Sequence, residues 1–354
     1  MLNFIYWPIS AVLWFWHKVF GTVFGSGSGL SWILAIVFLT FTVKAIMLKP
    51  TVSQMRSMRK MRDMQPRMQE IRDKYKNDQM KQTEEMRKLQ REMGVNPLAG
   101  CLPVMIQAPV FIGLFHVLRS FNRTGSGHGA LGMSVEQNRE TANYIFNAAD
   151  VQSFLDAHIF GVPISAYISM PQDMYKAFGD TDLTKAKIAV VAIPLIIIIA
   201  VATHFNARFS LNRQKDRQDS GKDKAPDAGT MAGQMQSMNK LMLWVFPATI
   251  FITGMLWHIG LLFYMFSNNL WTFFQQRWLF RKMDAEEEAE LQAKRDAKRA
   301  TAPKPGQKPI RNKKGQAQQA PAQQTEEPKE EATNSEASTE SSKSSKQNKK
   351  KKKK

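Results

Sequence analysis

What this chain lacks narrows it before what it holds. A single cysteine, Cys101, leaves no partner for an internal disulfide framework. The six histidines are scattered, with no metal-ligand spacing. A phosphate loop, a GxSxG elbow, an HExxH zinc motif and a dinucleotide fingerprint are all missing. These absences predict no enzyme, no cofactor and no bound metal. The apolar runs contain no Asp or Glu, and no internal repeat is visible. Both points weigh against an ion-coupled transporter, whose coupling sites use buried acids.

Apolar residues, in contrast, are concentrated in long runs. Mean hydropathy is only −0.33 because polar stretches dilute those runs. A helix needs about 20 apolar residues to cross a hydrocarbon core. Five stretches qualify: 29–50, 100–121, 187–207, 240–256 and 258–280. The expected fold is therefore an all-α polytopic membrane protein with a five-transmembrane-helix core. Residues 1–28 are apolar, Trp-rich and interrupted by Pro8. Their start lacks the Lys or Arg of a signal peptide, and aromatics favour interfaces. We read them as an N-terminal interfacial helix, beside two open alternatives, a cleaved signal and a sixth span.

Net charge is +19, and its placement sorts the loops. Lys+Arg against Asp+Glu is 12 to 7 in 51–96, 7 to 4 in 208–240 and 20 to 12 in 281–354. In 121–186 it is 4 to 7. Positive loops stay cytoplasmic. Five spans then put 51–99, 208–239 and 281–354 inside and leave 122–186 and the N-terminus outside. The length of 122–186 predicts partial disorder.

Lys44 breaks the first apolar run. One cation within a spanning helix costs roughly 2.5–3.5 kcal/mol on insertion scales. A chain tolerates it where the charge faces water or protein. Thr40 lies one turn earlier on the same face. The other runs carry Gln107, then Thr203, His204 and Asn206, then Thr249 and Thr253. The last run carries Asn268, Thr272 and Gln275 at i, i+4 and i+7, with Asn269 and Gln276 beside them. Unpaired amides are costly in lipid, so these groups face one another or water. Most lie in the inner halves of their runs, which describes a polar groove open to the cytoplasm. Other readings stand beside it. Lys44 lies about 7.5 Å along a helix from Lys49 and can snorkel to the headgroups. Thr and Asn often join helices. A small-solute channel or transporter is the rival function.

Two polar segments complete the chain. Segment 51–99 carries Met58, Met61, Met64 and Met68 at helical spacing, a break at Pro66, a turn at Asn77-Asp78 and an end at Gly94. It reads as a cytoplasmic helical hairpin. Its Met stripe is either the seam of a solvated coiled coil or an adaptable apolar surface. Segment 281–354 begins as a charged helix, becomes Pro/Gln/Lys/Ser/Glu-rich and ends in the six lysines 349–354. It should be mostly disordered. A basic tail of this kind offers phosphate contacts to a ribosome or to anionic lipid.

Three strings carry a resemblance: TFTVKAIMLKPTVSQMRSMRKMRDMQPRMQEI, GVNPLAGCLPVMIQAPVFIGLFHVL and FPATIFITGMLWHIGLLFYMFSNNLWTFFQQRWLFR. In this order and topology they resemble the YidC family of membrane-protein insertases. They cover about 30–121 and 240–281. The resemblance implies an insertase and chaperone for nascent membrane proteins, working alone or with the Sec translocon in the bacterial plasma membrane. It implies a groove open to cytoplasm and lipid, containing Lys44, with Thr40 and Tyr264 at substrate-contacting positions. The hairpin, with its Met stripe, becomes the first capture surface. Many members carry arginine where Lys44 stands. Lysine lacks the bidentate fork, so carboxylate recognition would be less geometric.

Overall fold

In the computed structural model, residues 2–94, 102–124, 132–179, 182–221 and 239–301 are described. The string NPLAGC, the stretch 222–238 and the tail from 302 lie outside the described residues. The chain divides into two units, 1–294 and 295–354, and of the second only the helical residues 295–301 are described. The fold is all-α, and one two-stranded ribbon is the sheet among the described residues.

Helices α1 (Asn3–Phe24) and α2 (Gly29–Ile46) are joined by a short turn, and Ser28 caps α2 by accepting from the Leu30 N–H. Trp16 Nε1 donates to Thr42 Oγ1 at 3.0 Å across the two helices. On its other side α1 lies against α6 (Leu102–Arg119), with Ile9 Cδ1 filling the space a Cβ on Gly113 would occupy. α2 stops four residues sooner than expected. Pro50 has no N–H, and its ring would strike the Ile46 carbonyl. The chain restarts as α3 (Leu48–Asp63).

Pro66 repeats the effect: α3 ends at Asp63 and α4 (Gln65–Lys74) begins with the proline in its first turn. Asp78 then caps α5 (Gln79–Glu92) by accepting from the Lys81 N–H at 3.0 Å, and Gly94 follows with φ +61°. α4 and α5 share a small core of Met64 and Leu89, flanked by Met61, Met68, Ile71 and Met93.

Beyond α6 the chain builds a cap folded over 132–179, while 125–131 and 180–181 of the segment expected to be partly disordered lie outside the described residues. It contains α7 (Val135–Glu140), α8 (Ala148–Leu155) and the ribbon β1 (His158–Ile159) with β2 (Val162–Pro163). The cause is its aromatic content. Phe121, Phe146 and Phe154 close around Trp32 of α2, with ring centroids 4.1–5.7 Å apart. His17 of α1 stacks on the Trp32 ring at 3.6 Å. Asn147 and Asp150 form a capping box on α8. The Asp150 carboxylate also accepts from Lys18 Nζ at 2.6 Å and Trp14 Nε1 at 3.2 Å, which ties α1 to the cap. Gly29 is obligatory: a Cβ there would stand 2.0 Å from the His158 carbonyl oxygen.

α9 (Lys185–Asp219) runs 35 residues and continues twelve past the expected end at 207. No Pro or Gly interrupts 207–219, and Gly221 at φ +69° follows the stop. The stretch 240–256, expected as one regular helix, is a π turn (Leu241–Val245), then α10 (Phe246–Thr253), then a 3₁₀ turn (Gly254–Leu256). Pro247 explains the irregular start, because it has no N–H to offer the Leu243 carbonyl. His204 Nδ1 of α9 meets that carbonyl at 3.0 Å. Finally α11 runs Ile259–Thr301. Its first two N–H groups donate to the cap carbonyls of Ala166 and Ile164 at 3.0 and 2.9 Å. By length and composition, α2 and α9 are long and apolar enough to cross a membrane, and 241–256 is a shorter apolar stretch.

Candidate functional site

The cap closes one end of the helices. At the other end α2, α3, α6, α9 and α11 surround a cavity of about 500 Å³. Pro50 and the Met47 junction bend the chain here, so α3 leaves α2 at its rim. Lys44, Gln107 and Thr272 line the cavity, together with Gln275 and Gln276. Three runs far apart in sequence thus bring their polar residues to one wall. Met55, Met58 and Met283 supply apolar wall. Gln276 Oε1 is buried and meets no donor among the described residues. Such an acceptor is costly in low dielectric unless a ligand or water meets it.

Cations dominate the lining: Lys44, Arg59, Arg62, Arg213 and Arg217, against the one carboxylate Glu287. The rim arginines are held by α11. Arg56 donates to Glu286 at 2.7 Å and Arg59 to Glu290 at 2.8 Å, joining α3 to α11. Arg217 reaches Glu287 at 2.8 Å, and Arg213 binds Asp284, joining α9 to α11. The hydrogen bond from Arg56 holds the Glu286 carboxyl below its ordinary range. Lys44 differs: it is half-buried, and no carboxylate pairs with it among the described residues. The cavity therefore holds a cation whose counter-charge has to come from elsewhere.

Other candidate residues sit outside this lining. Thr40 is fully buried and its hydroxyl donates to the Ile36 carbonyl of its own helix at 2.8 Å. Tyr264 is also buried, accepting a hydrogen bond from Gln107 Nε2. It thereby orients a cavity residue from behind. Asn206 Nδ2 donates to the carbonyl and side chain of Asn269 at 3.1 and 3.2 Å. Thr203 donates to the same Asn269 side chain. These groups join α9 to α11, the helix-joining reading of such residues. Asn268 Oδ1 is buried without a donor among the described residues. In the Met stripe, Met58 faces the cavity, Met64 is fully buried, and Met61 and Met68 flank the α4–α5 core.

The α11 carboxylates were missed by sequence reasoning, which took 281–301 as the solvated start of a tail. A signal existed. Asp284, Glu287 and Glu290 recur at helical spacing, and so do Arg56 and Arg59, and Arg213 and Arg217.

Fold and site together define a helical membrane protein with a basic cavity at one end and a folded cap at the other. Residues 23–287 match the family described as 60Kd inner membrane protein. The chain is 42% identical over 316 residues to the membrane protein insertase YidC of Mycolicibacterium paratuberculosis, covering 89% of this chain and 86% of that one. It is 42% identical over 313 residues to the membrane protein insertase YidC of Mycobacterium tuberculosis, covering 88% and 82%. For the protein of that name in Streptomyces avermitilis the identity is 30% over 281 residues, covering 79% and 58%. The chain belongs to the 60Kd inner membrane protein family, and so to the bacterial inner membrane.

Proposed function

We propose that this chain is a membrane protein insertase and chaperone, and that the cavity beside Lys44 receives the polar part of an incoming segment. The single observation that carries the site is the half-buried Lys44, without a carboxylate partner among the described residues, in a cavity whose other basic residues include α11-paired arginines. The names of its relatives support the activity.

In this reading five spans form the core, at 29–50, 100–121, 187–207, 240–256 and 258–280. Helices α3–α5 make a cytoplasmic hairpin, the cap lies outside, the N-terminus lies on the outer side and the C-terminus in the cytoplasm. A nascent segment meets the hairpin first, with Met58 at the cavity wall as its apolar contact. Gln107, Thr272, Gln275 and Gln276 then solvate its polar groups part-way across. Lys44 offsets an acidic residue of the tail. The hydrophobic stretch leaves sideways into lipid. Transfer of about 20 apolar residues is downhill, so no nucleotide is required. The membrane potential adds about 2.3 kcal/mol per charge per 100 mV, which draws acids outward. The Sec translocon and the ribosome are the proposed partners, the latter through the basic tail.

Photocrosslinking tests this. A photoreactive residue at 44, 107 or 272 should crosslink to a ribosome-stalled nascent membrane protein, while one at the cap tip, 160, should not. Crosslinks absent from all three cavity positions would overturn the proposal.

A further inference from the structure

We propose that the cleft between α9 and α11, which adjoins the Lys44 cavity at Arg213 and Phe280, binds the headgroup of an anionic phospholipid. Two joined depressions of about 460 and 290 Å³ lie there, sharing Phe209, Asn212 and Arg277. Arg208, Arg213 and Arg281 complete the basic lining. No carboxylate pairs with Arg208, Arg277 or Arg281 among the described residues. Arg56, Arg59, Arg213 and Arg217, by contrast, are all paired with α11 acids. The acids that do line the cleft are Asp216 and Asp284, and Asp284 is already held by Arg213 and Arg217.

Geometry favours phosphate. The Arg277 guanidinium lies over the rings of Phe273 at 3.5 Å and Phe209 at 4.6 Å, which fixes its plane. Its Nη1 donates to the Phe273 carbonyl, one use among five N–H donors. A planar fork with open edges suits a phosphate oxygen pair. Position favours a lipid as the source. Arg208, Arg277 and Arg281 stand where the apolar stretches of α9 and α11 give way to charge. Phe205 and Phe273, 60% and 38% exposed, line the cleft on the apolar side of them. Acyl chains fit against those rings while the headgroup meets the arginines. A soluble phosphate would leave the rings uncovered.

Native mass spectrometry of the full chain from mixed micelles tests this, with phosphatidylglycerol against phosphatidylcholine. The wild type should retain phosphatidylglycerol preferentially. The double variant R208Q/R281Q, which leaves the stacked Arg277 in place, should lose roughly fivefold per arginine removed. The control K81Q/K88Q, on exposed α5, should retain the wild-type preference and guards against a general charge effect. An undiminished preference in R208Q/R281Q, or an equal loss in the control, would overturn the site. Displacement of phosphatidylglycerol by millimolar glycerol phosphate would overturn the lipid as its occupant.

Discussion

The two ends of the helical core solve opposite problems with different residues. At the cap end, aromatic rings fill the space and named partners take up the charges: Asp150 holds Lys18, Arg139 pairs with Asp156 at 2.5 Å, and cap carbonyls receive the first N–H groups of α11. At the cavity end, amides and cations face an open volume, and Lys44 and the Gln276 carbonyl oxygen are left without protein partners among the described residues. One end is built to stay shut. The other leaves a cation and amides facing open space; buried polar atoms without partners among the described residues occur at both ends, including His17 Nδ1, Asn143 Nδ2 and Ser165 Oγ near the cap, so the difference lies in charge and openness.

Substitutions can break this contrast, beginning at the cap end. Trp32→Ala removes the ring on which His17, Phe121, Phe146 and Phe154 converge, and should cost about 3–5 kcal/mol. Fluorescence-monitored thermal unfolding in detergent should show a fall of roughly 10 °C. Gly29→Ala forces a methyl into the His158 carbonyl, and the backbone must shift. About 1–3 kcal/mol is expected by the same measurement. Asp150→Ala strips Lys18 and Trp14 of their acceptor and opens the α8 capping box. It should cost on the order of 1–2 kcal/mol, with Asp150→Asn milder because the cap survives.

The smallest effect belongs to the rim. The Glu286 carboxyl is held below its ordinary range by Arg56, so the contact stabilises the fold above the unfolded value of about 4.3. That contribution is lost as pH falls through the lower folded value. Spin labels on α3 and α11 should therefore separate on acidification below about pH 4, and E286Q/E290Q should already be separated at pH 7.

Much of this contrast was legible in the sequence, for physical reasons. Pro66, the Asn77-Asp78 turn and Gly94 punctuate the chain through local sterics, and α4 and α5 begin and end beside them, whereas the effect of Pro50 on the end of α2 was missed. Lys44, Gln107 and Thr272 stood out because polar groups are rare in apolar runs, and they meet in the cavity. Pairing across helices was not legible. Thr40 and Thr272 both donate back to the carbonyl four residues earlier, yet Thr272 lines the cavity and Thr40 is buried behind it, while Asn206 joins α9 to α11. His204 looked like a groove residue and instead meets the carbonyl that Pro247 cannot serve. The packing of the cap was not legible either, because aromatic rings 121, 146 and 154 acquire meaning only once Trp32 lies beneath them.

The most direct test concerns Lys44 itself. Purified wild type, Lys44→Ala and Lys44→Arg should be compared in proteoliposomes for insertion of one membrane protein carrying an acidic tail and one carrying a neutral tail. Lys44→Ala should lose on the order of tenfold on the acidic tail, the equivalent of about 1.4 kcal/mol, with Lys44→Arg close to wild type and the neutral tail little changed. Equal insertion of the acidic tail by Lys44→Ala and wild type would contradict the role given to the cavity.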